Sequence, residues 1–153
     1  MSPRRNTELS SSEVSAYLDE ARNGVLTTIG PTGYPHSTAM WFVVAGEEIL
    51  MWTYAKSQKA VNIARDPRCC FLVEDGTAYD ELRGVLVTGD AKVIEDLDEI
   101  ISIGLRLYER YTQPQTSVPA SDGPIVEIRR QAAKRIGIAL SLSSLTSWDH
   151  RKL

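Results

Sequence analysis

Two cysteines, Cys69 and Cys70, are all the chain has, and they are neighbours. On an extended strand, successive side chains point to opposite faces, so the two can neither bond to each other nor build a disulfide framework. Histidine is as scarce. His36 and His150 lie far apart without a Cys or Glu at ligand spacing, which argues against a bound metal. No apolar run approaches the roughly 20 residues that span a bilayer. The basic start MSPRRNTELSSSE has no apolar stretch behind it, so the expectation is a cytoplasmic protein away from membranes. A glycine-rich phosphate loop, a nucleophile elbow and an internal repeat are all missing. Surplus positive charge is missing too. A net charge of -3 and a pI near 5.4 do not suit a general nucleic-acid binder, and an anionic partner should be small.

What is present fits one domain. The 153 residues are 42% hydrophobic and 24% charged, enough to bury a core and keep a mixed-sign surface. We expect residues 1–9 to be a flexible lead and 10–153 a single domain. Ser10-Ser-Ser-Glu13 has capping-box spacing, and Val14, Tyr17, Leu18 and Ala21 follow at helical intervals up to a stop at Gly24. Six strands are predicted: Val25 to Ile29, Pro35 to Ala45, Glu48 to Tyr54, Arg68 to Glu74, Arg83 to Ile94 and Arg135 to Leu142. Gly30-Pro-Thr-Gly33 turns the first hairpin. Further helices are predicted over Asp96 to Tyr111 and near Pro124, after a loop holding Pro114 and Pro119, and SSLTSWDHRKL reads as a polar tail. The pattern points to a mainly β, α+β fold: a six-stranded antiparallel split β-barrel with peripheral helices, or alternatively a sandwich.

One stretch combines charge with a helix start. In WTYAKSQKAVNIARDPRCC, Ser57 is placed to cap a helix over Gln58 to Arg65, which Asp66-Pro67 ends. A helix N-terminus exposes unpaired N–H groups, and Lys56, the Ser57 hydroxyl and Lys59 gather there, as in a phosphate cradle. Asn62 shares a face with Lys59 and would hold it or reach the ligand. Val61 and Ile63 are expected to face the barrel, while Arg65 and Arg68 are assigned to the helix end and Asp66. Short basic helices also commonly cover a solvated face, so the residues alone leave both readings standing.

The hairpin GPTGYPHSTAMWF, the passage WTYAKSQKAVNIARDPR and the strand RGVLVTGDAKVI, in this order, resemble the flavin-binding split-barrel superfamily named after pyridoxamine 5'-phosphate oxidase. The patterns G-x-x-G-x-P-H, K-x-x-N-I-x-x-D-P and S-W-D-H resemble its actinobacterial branch, which uses the deazaflavin coenzyme F-420. The resemblance covers Ser10 to the tail. It implies a homodimer with two cofactor clefts between protomers, and an oxidoreductase moving hydride to a small conjugated substrate. It puts Thr53, Lys56, Ser57 and Lys59 on the cofactor phosphate with Asn62 in support. It also runs the strand from His36 through Ala39, Met40 and Trp41 along the ring, and places the tail near the partner's cleft, where Trp148 would close over the ring. FMN is the alternative cofactor, and a non-enzymatic flavin or tetrapyrrole carrier the second alternative. Trp148-Asp149-His150-Arg151 replaces the Arg-x-His substrate motif of the true oxidases, and their Arg-Lys pair is absent from the phosphate passage. His36 is the one candidate proton donor, against a purely structural role, and Tyr79, Glu81 and Arg83 are candidates for the cleft rim.

Overall fold

The computed structural model describes residues 6–112 and 123–153. In chain order the elements are α1 (Ser11–Glu20), β1 (Gly24–Ile29), β2 (Pro35–Met40), β3 (Val43–Ala45), β4 (Glu48–Tyr54), α2 (Gln58–Arg65) and β5 (Arg68–Asp75). There follow β6 (Arg83–Asp90), β7 (Lys92–Ile94), α3 (Leu97–Tyr111), α4 (Gly123–Ala132), β8 (Arg135–Ser141) and β9 (Leu145–Asp149). The strands form two antiparallel sheets, ordered β2-β1-β5-β6-β9 and β3-β4-β8-β7.

Among the described residues nine strands replace the six expected, for three reasons. The run from Pro35 to Ala45 breaks at Trp41–Phe42, so that β2 lies in one sheet and β3 in the other. The run from Arg83 to Ile94 breaks at Ala91 in the same way. The tail expected to be irregular forms β9, which pairs with β6 from Arg83↔Asp149 to Val87↔Leu145. Two continuous stretches thus turn corners between sheets, and this splits the barrel.

Alternation fills the space between the sheets. Leu26, Phe71, Val73, Val85 and Val87 meet Ile49, Met51, Ile138 and Leu140 in one buried cluster, with Val14, Tyr17 and Leu18 of α1 closing one side. Burying each such side chain is worth about 1.5–3 kcal/mol. Phe42, at the first corner, sits edge-on to Phe71 with centroids 5.2 Å apart. A second cluster fastens α3 and α4 to the outside of the four-stranded sheet through Ile94, Ile100, Ile103, Leu107, Ile128 and Ala139.

The first helix has its full capping box between Ser10 and Glu13, but it stops at Glu20. Gly24 opens β1 instead of ending α1, because a Cβ there would run into the Phe71 ring. In the hairpin, Gly33 takes φ 88°, the left-handed region, and Gly30 N–H donates to Tyr34 O at 2.8 Å. At the N-terminus, Thr7 to Leu9 is tied to β9: Asp149 N–H donates to Thr7 O at 2.8 Å and Leu9 N–H to Ser147 Oγ at 3.0 Å. The predicted Pro114–Pro119 loop lies outside the described residues. No helix among them is long and apolar enough to cross a membrane.

Candidate functional site

The start of α2 is built by short-range bonds. Ser57 Oγ accepts from Ala60 N–H, Ser57 N–H donates to Tyr54 O at 2.9 Å, and Thr53 Oγ1 lies 3.2 Å from Ser57 Oγ. Thr53, buried at the end of β4, therefore fixes the capping hydroxyl. The N–H groups of Gln58 and Lys59, first in the helix, find no acceptor among the described residues, as helix geometry requires. Lys59 is half-buried with no acidic partner among those residues, and burial lowers its pKa from the ordinary 10.5. Lys56 stands exposed beside it. A desolvated, unpaired ammonium next to open N–H donors is a site that favours an anion.

Asn62 supports this end through the sheet and not through Lys59. It is fully buried, its Nδ2 donates to Thr28 Oγ1 at 3.0 Å, and its Oδ1 accepts from Gln58 Nε2 at 2.8 Å and from Arg65 Nη2 at 3.3 Å. Arg65 also donates to Ile29 O, and Arg68 pairs with Asp66 at 2.7 Å. Val61 is 49% exposed while Ile63 is buried. The two lie roughly 200° apart around a helix, so they cannot share a face.

Beyond β1, on which α2 packs, runs β2, an edge strand whose outward backbone N–H and C=O groups have no strand partner among the described residues. His36, Thr38 and Met40 are its more buried side chains, and both His36 Nδ1 and Thr38 Oγ1 are buried without a hydrogen-bond partner. His36 pairs across to Thr28, the residue that holds Asn62. Strand β2 and the helix start thus share one anchor. Unpartnered buried polar atoms are uncommon in native proteins, and an ordered water, an ion or a ligand can complete their bonding.

Where β2 ends, Trp41 is 56% exposed and stacks on Tyr111 of α3, with centroids 4.5 Å apart and planes within 6°. Tyr111 Oη accepts from Phe42 N–H at 3.0 Å and lies 2.7 Å from Arg22 O, which pins the corner. Ala39, Met40 and Trp41 border a cavity of about 750 Å³ that extends over Trp52 and Arg135 between α3 and α4. Neither Tyr111 nor Arg135 is marked by any local sequence pattern.

Trp148 lies elsewhere. It sits on β9 opposite Gly84, at the far edge of the five-stranded sheet from β2. Four strand spacings of about 4.8 Å separate those edges by roughly 19 Å. One protomer alone does not bring Trp148 to the helix start. The expected rim residues are also committed: Arg83 is bound by Asp75 at 2.7 Å and Glu20 at 3.0 Å, and Glu81 Oε2 accepts from the Thr77 and Ala78 N–H groups. Tyr79 is exposed and packs against the His150 ring. Burial pushes the Cys69 thiol up to about 11, which leaves it inert near neutral pH. Among the described residues no group of three His, Cys, Asp or Glu side chains could hold a metal ion.

A conserved hypothetical protein from Mycobacterium tuberculosis, Rv2991, is 42% identical over 99% of this chain and 92% of its own, with a TM-score of 0.88. An F-420 reductase is 27% identical over 86% and 94%, with a TM-score of 0.64. The heme storage protein HutZ from Vibrio cholerae shares the fold at 14% identity, over 91% and 96% of the two chains, with a TM-score of 0.68. No curated protein matches the chain. The pyridoxamine 5'-phosphate oxidase family model matches residues 10–136. The family match, the 42% identical relative and the split barrel lead to one conclusion: the chain belongs to the pyridoxamine 5'-phosphate oxidase family.

Proposed function

We propose that the protein is a homodimeric oxidoreductase that uses the deazaflavin coenzyme F-420 to reduce a small conjugated organic molecule. The observation that carries this reading is the unpaired, half-buried Lys59 beside the open N–H groups of α2. Likeness to an F-420 reductase supports the choice of coenzyme.

In this reading Lys59, Lys56 and the Gln58 and Lys59 N–H groups hold the coenzyme phosphate. Ser57 and Thr53 orient the helix start, and Asn62 fixes it to the sheet. Free backbone groups of β2, with His36 Nδ1 and Thr38 Oγ1, satisfy the polar edge of the ring system beside Ala39, Met40 and Trp41. His36 is the candidate proton donor in this group. The bound coenzyme supplies a hydride from a ring carbon, and the protein's part is to position, exclude water and polarise. Trp148 closes over the ring of the partner protomer's coenzyme, since its own lies across the sheet. The outward row Ala39, Val25, Leu72, Leu86 and Thr146, in register across that sheet, supplies a surface for the second protomer.

FMN is the second reading, because the same cradle accepts its phosphate and the family is named for an FMN enzyme. Titrating both cofactors against wild type and Lys59→Ala tests the proposal. The expected result is F-420 binding at micromolar affinity or better, weakened by roughly tenfold or more in Lys59→Ala, as for a lost charge-assisted bond. A protein that is yellow as isolated decides for FMN. Coenzyme binding without turnover across a broad panel of acceptors decides for a carrier. Unchanged affinity in Lys59→Ala refutes the cradle.

A further inference from the structure

The cavity beyond Trp41 is lined by an arginine, Arg135, and by an acid, Glu127. Its volume of about 750 Å³ falls within the range of small-molecule sites, about 300–1,000 Å³. At its base, the Arg135 guanidinium carbon lies 4.4 Å from the Trp52 ring centroid and 4.3 Å from that of Tyr54. Both rings lie against the guanidinium. Among the described residues its Nε is buried with no partner, and Nη2 makes a weak bond to Gln131 Oε1 at 3.3 Å. The nearest acid along α4, Glu127, is already bound by Arg130 at 2.8 and 2.6 Å and by Gln131 at 2.8 Å.

Burying a charged edge without a partner is costly, and a guanidinium edge is shaped for in-plane, two-point bonding to a carboxylate. Part of its wall is apolar. Trp41, Trp52 and Leu107 suit a planar ring, and Trp41, backed by Tyr111 at 4.5 Å, is 56% exposed. We infer that this cavity binds a planar aromatic or conjugated molecule bearing a carboxylate, with Arg135 as the carboxylate's partner. Met40 and Trp41 border both this cavity and the proposed coenzyme ring position, which makes the ligand the hydride acceptor. That last role rests on the proposed function, whereas the binding does not.

The test uses 2-naphthoate and its neutral isostere 2-naphthamide, without coenzyme, read by calorimetry and by quenching of tryptophan fluorescence. Wild type is expected to bind the acid more tightly than the amide by roughly tenfold or more, the range for a charge-assisted bidentate pair. Arg135→Gln is expected to lower the acid to the amide's affinity, and Arg135→Lys, which keeps the charge but not the fork, to fall between. Equal affinities of acid and amide for wild type overturn the inference, even where Arg135→Gln fails to fold. So does acid binding that Arg135→Gln leaves unchanged. Competition by inorganic phosphate also overturns it, since that would assign Arg135 to the phosphate cradle. Failure of F-420 to bind refutes the coenzyme reading and leaves this assay standing.

Discussion

Replacing Asn62 by alanine should damage the anion site without touching it. Asn62 is fully buried and joins Thr28 of β1 to Gln58 and Arg65 of α2 through bonds of 3.0, 2.8 and 3.3 Å. The substitution takes the 3.0 Å donor from the buried Thr28 hydroxyl and leaves it only a long 3.5 Å bond to His36 O, at about 1–3 kcal/mol for an under-satisfied group. It also removes three heavy atoms from a closed space, adding about 1 kcal/mol for the cavity. Gln58 and Arg65 reach solvent and recover their bonds from water, so they add little. The sum is about 2–4 kcal/mol, or a fall in Tm of roughly 5–15 °C at 2–4 °C per kcal/mol for a domain of this size. Denaturant melts of Asn62→Ala, Thr28→Val and the double variant measure it. The two losses should fall short of additivity by roughly 1 kcal/mol, since both changes remove the same bond between Asn62 and Thr28. Coenzyme affinity should drop in Asn62→Ala although Lys59 is intact, because the helix start is no longer pinned. Strict additivity with a loss under about 1 kcal/mol would refute the claim that this bond anchors α2.

Two further outcomes follow from the same geometry. In Gly84→Ala the new methyl meets the Trp148 indole, so the ring must move, at about 1–3 kcal/mol for overpacking; a shift in tryptophan emission with a lower denaturation midpoint reads it. Lys59 gives a pH dependence. Its folded pKa is below its unfolded value, so the unfolded chain binds more protons in the window below 10.5, and stability gains from this group as pH rises through it. A bound phosphate favours the ammonium, so coenzyme affinity should fall as pH rises through that same window. Titrations in Lys59→Arg, which stays charged, should lose this alkaline fall, and an unchanged profile would sink the assignment.

Local chemistry made much of the molecule legible before folding was considered. Capping by Ser10 and Ser57, the proline that ends α2, and the alternation in β1, β4 and β8 all involve residues within a few positions of one another. The gathering of Lys56, Ser57 and Lys59 at one helix end follows from the same short range. The corners at Trp41–Phe42 and Ala91 were not visible, because apolar alternation runs on through a bend that only packing against the opposite sheet imposes. Strand β9 was missed for a similar reason: its polar residues become a strand by pairing with β6.

By itself, the sequence determined where the helix that carries Lys59 begins and ends and that Ser57 caps it. Tertiary structure decided what those residues answer to. It turned Asn62 away from Lys59 and onto Thr28, 34 positions earlier in the chain. It carried Trp148 to the opposite sheet edge, and it set Arg135 between Trp52 and Tyr54 with its edge unpaired. Each of these depends on contacts between residues remote in sequence, whose register is fixed by burial and pairing across sheets and not by any local preference.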